Sequence, residues 1–259
     1  MATSIHPTAI VERGAELGEN VSVGPYAVIG PEVRIGDGSS IGAHAVVQGR
    51  TSMGRDTQIF PHAAVGFVPQ DLKYAGEPTR LEMGDGNIVR EFATIHIGTD
   101  GGGGVTRLGN RNLLMAYSHV AHDCTLGDGN ILANCGTLAG HVTLGNHVIL
   151  GGLSAVHQFV RIGDHAFISG GSMVAMDVPP YCTAQGDRAK LVGLNTVGLK
   201  RHGWDAEAIR TIKNVYRTVF RSDLGLKEAL AQVRAEHAGD PRVQAFVEFI
   251  EKSERGVAR

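Results

Sequence analysis

Cysteine is scarce in this 259-residue chain. Cys124, Cys135 and Cys182 are too few, and odd in number, for a disulfide framework, which predicts a reducing, cytoplasmic setting. Aromatic residues make up only 5% of the sequence, and neither sign of charge dominates: the formal net charge of −2 argues against bulk nucleic-acid binding. No apolar run approaches the roughly 18 residues of a membrane span. The start, M-A-T-S-I-H-P, shows no basic region followed by an apolar one, so no signal peptide is expected. What the chain has in excess is glycine, 36 residues of it, which points to a backbone that turns often.

Those turns are periodic. Aliphatic residues or Met stand at every sixth position from Ile5 through Val11, Leu17 and Val23 to Val65. The series resumes at Met83, Val89 and Ile95, then runs one residue out of phase from Leu108 to Val174, ending before Pro179-Pro180. Two residues before most of these stands a small or branched side chain, such as Ala9, Val21, Ala27 and Ala45. Residues two apart share a face of a strand, so each hexad reads as one short strand with two inward side chains and a turn. The interruptions near 66–82 and 99–106 read as surface loops, the second holding the run Gly101 to Gly104.

Such hexads resemble the hexapeptide-repeat family, which implies an all-β, left-handed parallel β-helix of triangular section over residues 1–180. Three hexads make a coil, so residues 18 apart stack at about 4.8 Å, the usual inter-strand spacing. On that rule Asn112 and Asn130 form an inward amide pair, and His122, Gly140 and Gln158 line one edge. A histidine, an unshielded glycine N–H and a polar side chain in a row are a plausible base and oxyanion donor. Asp123, next in sequence to His122, stacks with His141 and has either histidine as its partner. Most of the twelve histidines are expected to occupy turns without chemical purpose. The γ-type carbonic anhydrases share this fold and use an H-x-x-x-x-H pair to bind metal; no two histidines here are five apart, and no metal or other cofactor is expected.

After Tyr181 a helical period takes over. Ile209, Ile212, Val215, Tyr216, Val219 and Phe220 mark one amphipathic helix, and Leu226, Leu230 and Val233 a second. Asp240-Pro241 caps a third, carrying Val243, Phe246, Val247 and Ile250. Residues 181–259 thus read as a small helical domain capping the solenoid. Its cations Lys200, Arg201, Arg210, Lys213, Arg217 and Arg221 are either a solvated face or a site for an acidic partner.

A more specific resemblance rests on A-H-D-C-T, L-A-G-H-V, A-V-H-Q-F, D-V-P-P-Y, the loop Q-D-L-K-Y-A-G-E-P-T-R and the segment G-L-K-R-H-G. Together they resemble, essentially end to end, the acyl-carrier-protein–UDP-N-acetylglucosamine O-acyltransferase family. The resemblance implies transfer of a 3-hydroxyacyl group from acyl carrier protein to the sugar 3-hydroxyl, the first step of lipid A synthesis, in a homotrimer. It assigns the general base to His122 and the oxyanion N–H to Gly140. It assigns substrate contacts to Asp71, Lys73, His96, His119, His141, His157 and Gln158, and contacts with the nucleotide end to Asn195 and Arg201. It makes Gly170 the determinant of acyl length, its openness favouring a longer chain. Two positions depart from the family pattern: Ile97 stands where arginine is expected, and Arg188 where histidine is. The rivals are the later N-acyltransferase of the same pathway, which carries a domain before its hexads, a metal-dependent carbonic anhydrase, and a non-catalytic solenoid.

Overall fold

A computed structural model describes residues 2–259. Twenty-six two- to four-residue strands wind into three parallel sheets, each strand pairing with the third strand before and after it. Successive coils add one strand to each face of a triangular prism. The register follows the expected three-hexad step: His119 pairs with Thr137, and Thr137 with Ala155. Two coils are longer, because each takes up one of the loops. Val65 pairs with Ile95 across the first loop, and Ile95 with Val120 across the second.

The sixth-position aliphatics fill the prism: Ile29, Ile95, Leu114, Leu132, Leu138, Leu150 and Ile168 are wholly buried. The inward amides are tied as a ladder, though not as a simple pair. The Nδ2 of Asn112 donates to Oδ1 of Asn87, while Oδ1 of Asn112 accepts the backbone N–H of Asn130. The amide-to-amide bond therefore spans one of the lengthened coils, and Asn130 turns its own Nδ2 to Gly127 O. Unmet buried amides would be costly, and each here is met.

Most corners are made by a residue three places after the aliphatic, with φ near +60° even where it is not glycine, as at Tyr26, His44, Asp123 and His141. Side chains at this place stack up the edges. Tyr26, His44, His62, Phe92 and Tyr117 form one ladder of parallel rings with centroids 4.9–5.0 Å apart. His44 and His62 thus stand at turns, where most of the histidines were expected.

The sheet does not end at Pro180. Strand Cys182–Gln185 pairs parallel with Phe167–Ile168, and Lys190–Leu194 folds back antiparallel on it. The part read as purely helical thus begins with a β-hairpin that covers the last coil's open edge. Four helices follow: α1 (Thr196–Arg201), α2 (Ala206–Arg221), α3 (Leu226–Glu236) and α4 (Pro241–Glu251). The three longer ones bury the apolar stripes their periods mark, around Ile212, Val233 and Phe246. The short α1 had no periodic signal to announce it. Among the described residues no helix is long and apolar enough to cross a membrane.

Candidate active site

Both loops leave the prism at the same edge, and the next coils bring His122, Gly140 and Gln158 to that edge in turn. The stacking rule is therefore met. Gly140 lies so close to the His122 ring that a Cβ there would stand 2.6 Å from Cε1. Only glycine lets the imidazole rest against the backbone of the next coil. The Gly140 N–H donates to no protein acceptor among the described residues. Its place in the hexad is the one that Pro7, Pro25, Pro31 and Pro61 occupy elsewhere, where the ladder needs no N–H.

Asp123 bonds to its chain neighbour rather than one coil on. Its Oδ2 accepts from Nδ1 of His122 at 2.8 Å, while Nδ1 of His141 is 3.9 Å away. The left-handed φ of 60° at Asp123 turns its side chain beside the preceding one. The glycine-rich loop then fixes it. Thr99 donates its N–H to Oδ1 at 2.9 Å and its hydroxyl to Oδ2 at 2.6 Å. Gly102 passes directly over the carboxylate, where a Cβ would collide with it. The acid is fully enclosed and His122 is 15% exposed. With Nδ1–H held by Asp123, the lone pair of His122 Nε2 is free to accept a proton.

Around this pair lie the other histidines. His141 meets His122 edge-on, with centroids 5.1 Å apart, and stacks on Phe159 at 4.4 Å. Burial lowers its pKa, opposed by the charges of Asp123 and, from the first loop, Asp71. Lys73 lies two residues on in that loop, exposed, its N–H donating to Asp71 Oδ1 at 3.0 Å. His96 and His119 are adjacent on the sheet face beside the edge, rings 4.9 Å apart. Burial, then the neighbouring His119 and His122, push the His96 pKa down to about 4. Burial lowers that of His119 too, and its Nδ1 shares a hydrogen bond of 2.6 Å with Thr94 Oγ1. His96 Nδ1 is buried without a partner. His157 and Gln158 are exposed one coil beyond Gly140.

Three expected residues stand elsewhere on the chain. Asn195 caps α1, its Oδ1 accepting the Gly198 N–H at 3.0 Å and its Nδ2 donating to His165 O at 2.9 Å. That places Asn195, and Arg201 at the end of α1, by a different edge of the prism from His122. Gly170 lies on the third edge, where a Cβ would meet only Gly152, its oxygen at 3.2 Å. Of the two departures, Ile97 is buried, its N–H donating to Phe67 O, and Arg188 is exposed. Thr99, Gly102 and Thr94 also belong to this neighbourhood, beyond the residues the sequence motifs mark. The run of four glycines was the available signal for Gly102; nothing marked the threonines.

Ligand atoms of His122, Asp123 and His141 all lie within 4.8 Å, the one such group among the described residues. Binding an ion there would break the His122–Asp123 bond, and both Asp123 oxygens already accept from Thr99. The arrangement sets a histidine nitrogen that can accept a proton beside an open backbone donor.

Comparison with known proteins identifies the family. Residues 177–258 match the family model for UDP-N-acetylglucosamine O-acyltransferase domain 2, and residues 14–49 the bacterial transferase hexapeptide model. The chain is 57% identical to the acyl-[acyl-carrier-protein]–UDP-N-acetylglucosamine O-acyltransferase of Myxococcus xanthus, over 98% of this chain and 99% of that one. It is 56% identical to its counterpart in Anaeromyxobacter dehalogenans, over 99% and 100%. The solved UDP-N-acetylglucosamine O-acyltransferase of Moraxella catarrhalis superposes with a TM-score of 0.96 at 44% identity, covering 98% of this chain and 99% of that one. The fold is accordingly a left-handed parallel β-helix with a small helical domain. The chain belongs to the acyl-[acyl-carrier-protein]–UDP-N-acetylglucosamine O-acyltransferase family.

Proposed function

We propose that His122 drives the transfer of a 3-hydroxyacyl group from acyl carrier protein to the 3-hydroxyl of UDP-N-acetylglucosamine, the first step of lipid A synthesis. Nε2 of His122 removes the hydroxyl proton as the sugar oxygen attacks the thioester carbonyl. The tetrahedral oxyanion is held by the Gly140 N–H. The C–S bond then breaks, and the proton on His122 goes to the departing carrier thiolate. Asp123 keeps His122 in the Nδ1–H tautomer and stabilises the imidazolium between the two steps. No protein-bound acyl intermediate is needed. The observation that carries this reading is the 2.8 Å bond from His122 Nδ1 to an Asp123 carboxylate closed off from water.

Asp71, Lys73, His96, His119, His141, His157 and Gln158 hold the substrates along and beside the same edge. Asn195 and Arg201 serve the nucleotide end from a neighbouring copy in a homotrimer. This reading is supported by their position on another edge, away from His122. It does not need Asn195 to abandon its capping bonds, since an amide has further donor and acceptor capacity. The test is purified protein with UDP-N-acetylglucosamine and a 3-hydroxyacyl carrier thioester. O-acylated nucleotide sugar and free carrier thiol in equal amounts are expected; N-acylation, or thioester hydrolysis alone, would overturn the assignment.

A further inference from the structure

The last residues of the chain return to the β-helix. Asp177, 1% exposed, accepts the Ser253 hydroxyl at 2.7 Å and the Arg161 N–H at 2.8 Å. Its backbone pairs with the tail: the Asp177 N–H donates to Gly256 O at 3.0 Å and the Ala258 N–H to Asp177 O at 2.9 Å. Val257 and Ala258 are buried beneath. A tail tied at both ends in this way is an ordered strap.

The strap carries Arg255 to the edge that holds His122. Nε of Arg255 donates to Ala175 O at 2.7 Å. The register that pairs Ala155 with Met173 and Val156 with Val174 sets Ala175 one coil beyond His157, so Arg255 sits at the next step of the His122–Gly140–Gln158 series. Nη2 of Arg255 lies 2.8 Å from Nδ1 of His157. A guanidinium has donors only, so the His157 nitrogen must be the acceptor. The same Nδ1 is 3.1 Å from Gln158 O, a contact that would need a proton on it. The two contacts demand opposite tautomers, and the shorter, charge-assisted one prevails.

We propose that Arg255 is a positioning residue that keeps Nδ1 of His157 bare and so places its N–H on Nε2, directed to an oxygen acceptor of the bound nucleotide sugar. The tautomer depends only on contacts in the free protein; its consequence for substrate rests on the acyltransferase reading above. His122 and His157 are thereby set in opposite tautomers on one edge. Asp123 holds the proton on Nδ1 of the base, and Arg255 keeps it on Nε2 of the binding residue.

The experiment is two-bond ¹H–¹⁵N spectroscopy of the free, full-length protein, with His157 assigned by its absence in His157→Ala. The wild-type protein is expected to show an unprotonated Nδ1 and a protonated Nε2 at His157. Arg255→Met should move the proton to Nδ1, and Arg255→Lys, which still offers only donors, should leave it on Nε2. In turnover, Arg255→Met should raise KM for UDP-N-acetylglucosamine about tenfold with kcat within about threefold, the loss of a binding contact rather than of a catalytic one. It should add little in a His157→Ala background. An Nδ1-protonated His157 in the wild type, or an unchanged tautomer in Arg255→Met, overturns the proposal. A fall in kcat with no change in KM does so too. A wild-type protein without acyl transfer but with the stated tautomer overturns the functional reading instead.

Discussion

Nδ1 of His122 donates to Oδ2 of Asp123 at 2.8 Å, although side chains adjacent in sequence usually diverge. The left-handed corner and the Thr99 clamp bring them together, which makes the acid a tautomer lock. His122→Ala is expected to lower kcat by about 10²–10⁴, the range for a lost general base, with an unchanged circular dichroism spectrum. Asp123→Asn should cost about 10²-fold or more, because the amide can offer an N–H to Nδ1 and favour the wrong tautomer. Near-normal turnover in the alanine variant would remove His122 from the mechanism.

The glycine-rich loop contains its own control. A Cβ on Gly102 would collide with the Asp123 carboxylate, whereas one on Gly101 would meet nothing within 4 Å. Gly102→Ala should displace the loop or the acid, at about 1–3 kcal/mol, the usual cost of overpacking, and lower kcat at least tenfold. Gly101→Ala should be silent in both melting temperature and rate. Equal behaviour of the two variants would show that the loop does not act on Asp123.

How much of this was legible in the sequence follows from where the period was regular. From Leu108 onward the three-hexad step holds, and spacing alone stacks His122, Gly140 and Gln158. Before it, the steps from Val65 to Ile95 and from Ile95 to Val120 are lengthened, and only the structure shows that both insertions open at the edge of His122. The partner of Asp123 depended on a side-chain direction that spacing does not encode. Thr99 and Arg255 reach the edge from distant parts of the chain, and no periodicity links them to Asp123 and His157. Asn195 lies on another edge because the hairpin after Pro180, which carried no hexad signal, reverses the chain before α1.

Acyl length is tested at Gly170, whose surroundings leave the position open except for Gly152. The wild-type enzyme is expected to prefer fourteen-carbon 3-hydroxyacyl donors over ten-carbon ones, by roughly 0.8 kcal/mol for each of the four extra methylenes that the groove buries. Gly170→Met should reverse the order. The measurement is a competition between two carrier thioesters, read by product mass. A wild-type preference for ten carbons would count against an open groove.

Two histidines, half-buried His165 and buried His96, bear on the acid side of the stability profile. His165 is pushed down to about 4, first by burial and then by the charges His147 and His202 would carry. Its unfolded counterpart takes a proton near 6.5, so between about 6.5 and 4 the unfolded state binds more protons than the folded one. Stability therefore falls as pH drops through that window and the loss levels off below it. His96, also near 4, acts in the same direction. His165→Phe, which retains a ring for the stack on His147, should flatten the fall in melting temperature between about pH 6.5 and 4. A profile as steep as that of the wild type would assign the acid sensitivity to other groups.

The carrier-docking surface is tested on α2. Arg210, Lys213 and Arg217 are all exposed and spaced to share one face of the helix, opposite the buried Ile212, Val215 and Val219. Arg221, by contrast, spends its guanidinium on Leu191 O at 2.9 Å and Tyr216 Oη at 3.1 Å, which makes it part of the domain contact rather than a free cation. Reversing Arg210, Lys213 and Arg217 to glutamate should raise KM for the acidic carrier thioester about tenfold or more. The effect should shrink at high salt, since exposed charges are screened within about 8 Å at physiological ionic strength. A short thioester lacking the carrier should react as before. If both donors slow alike, the helix acts on the fold; if neither slows, the carrier docks elsewhere and the α2 cations are a solvated face.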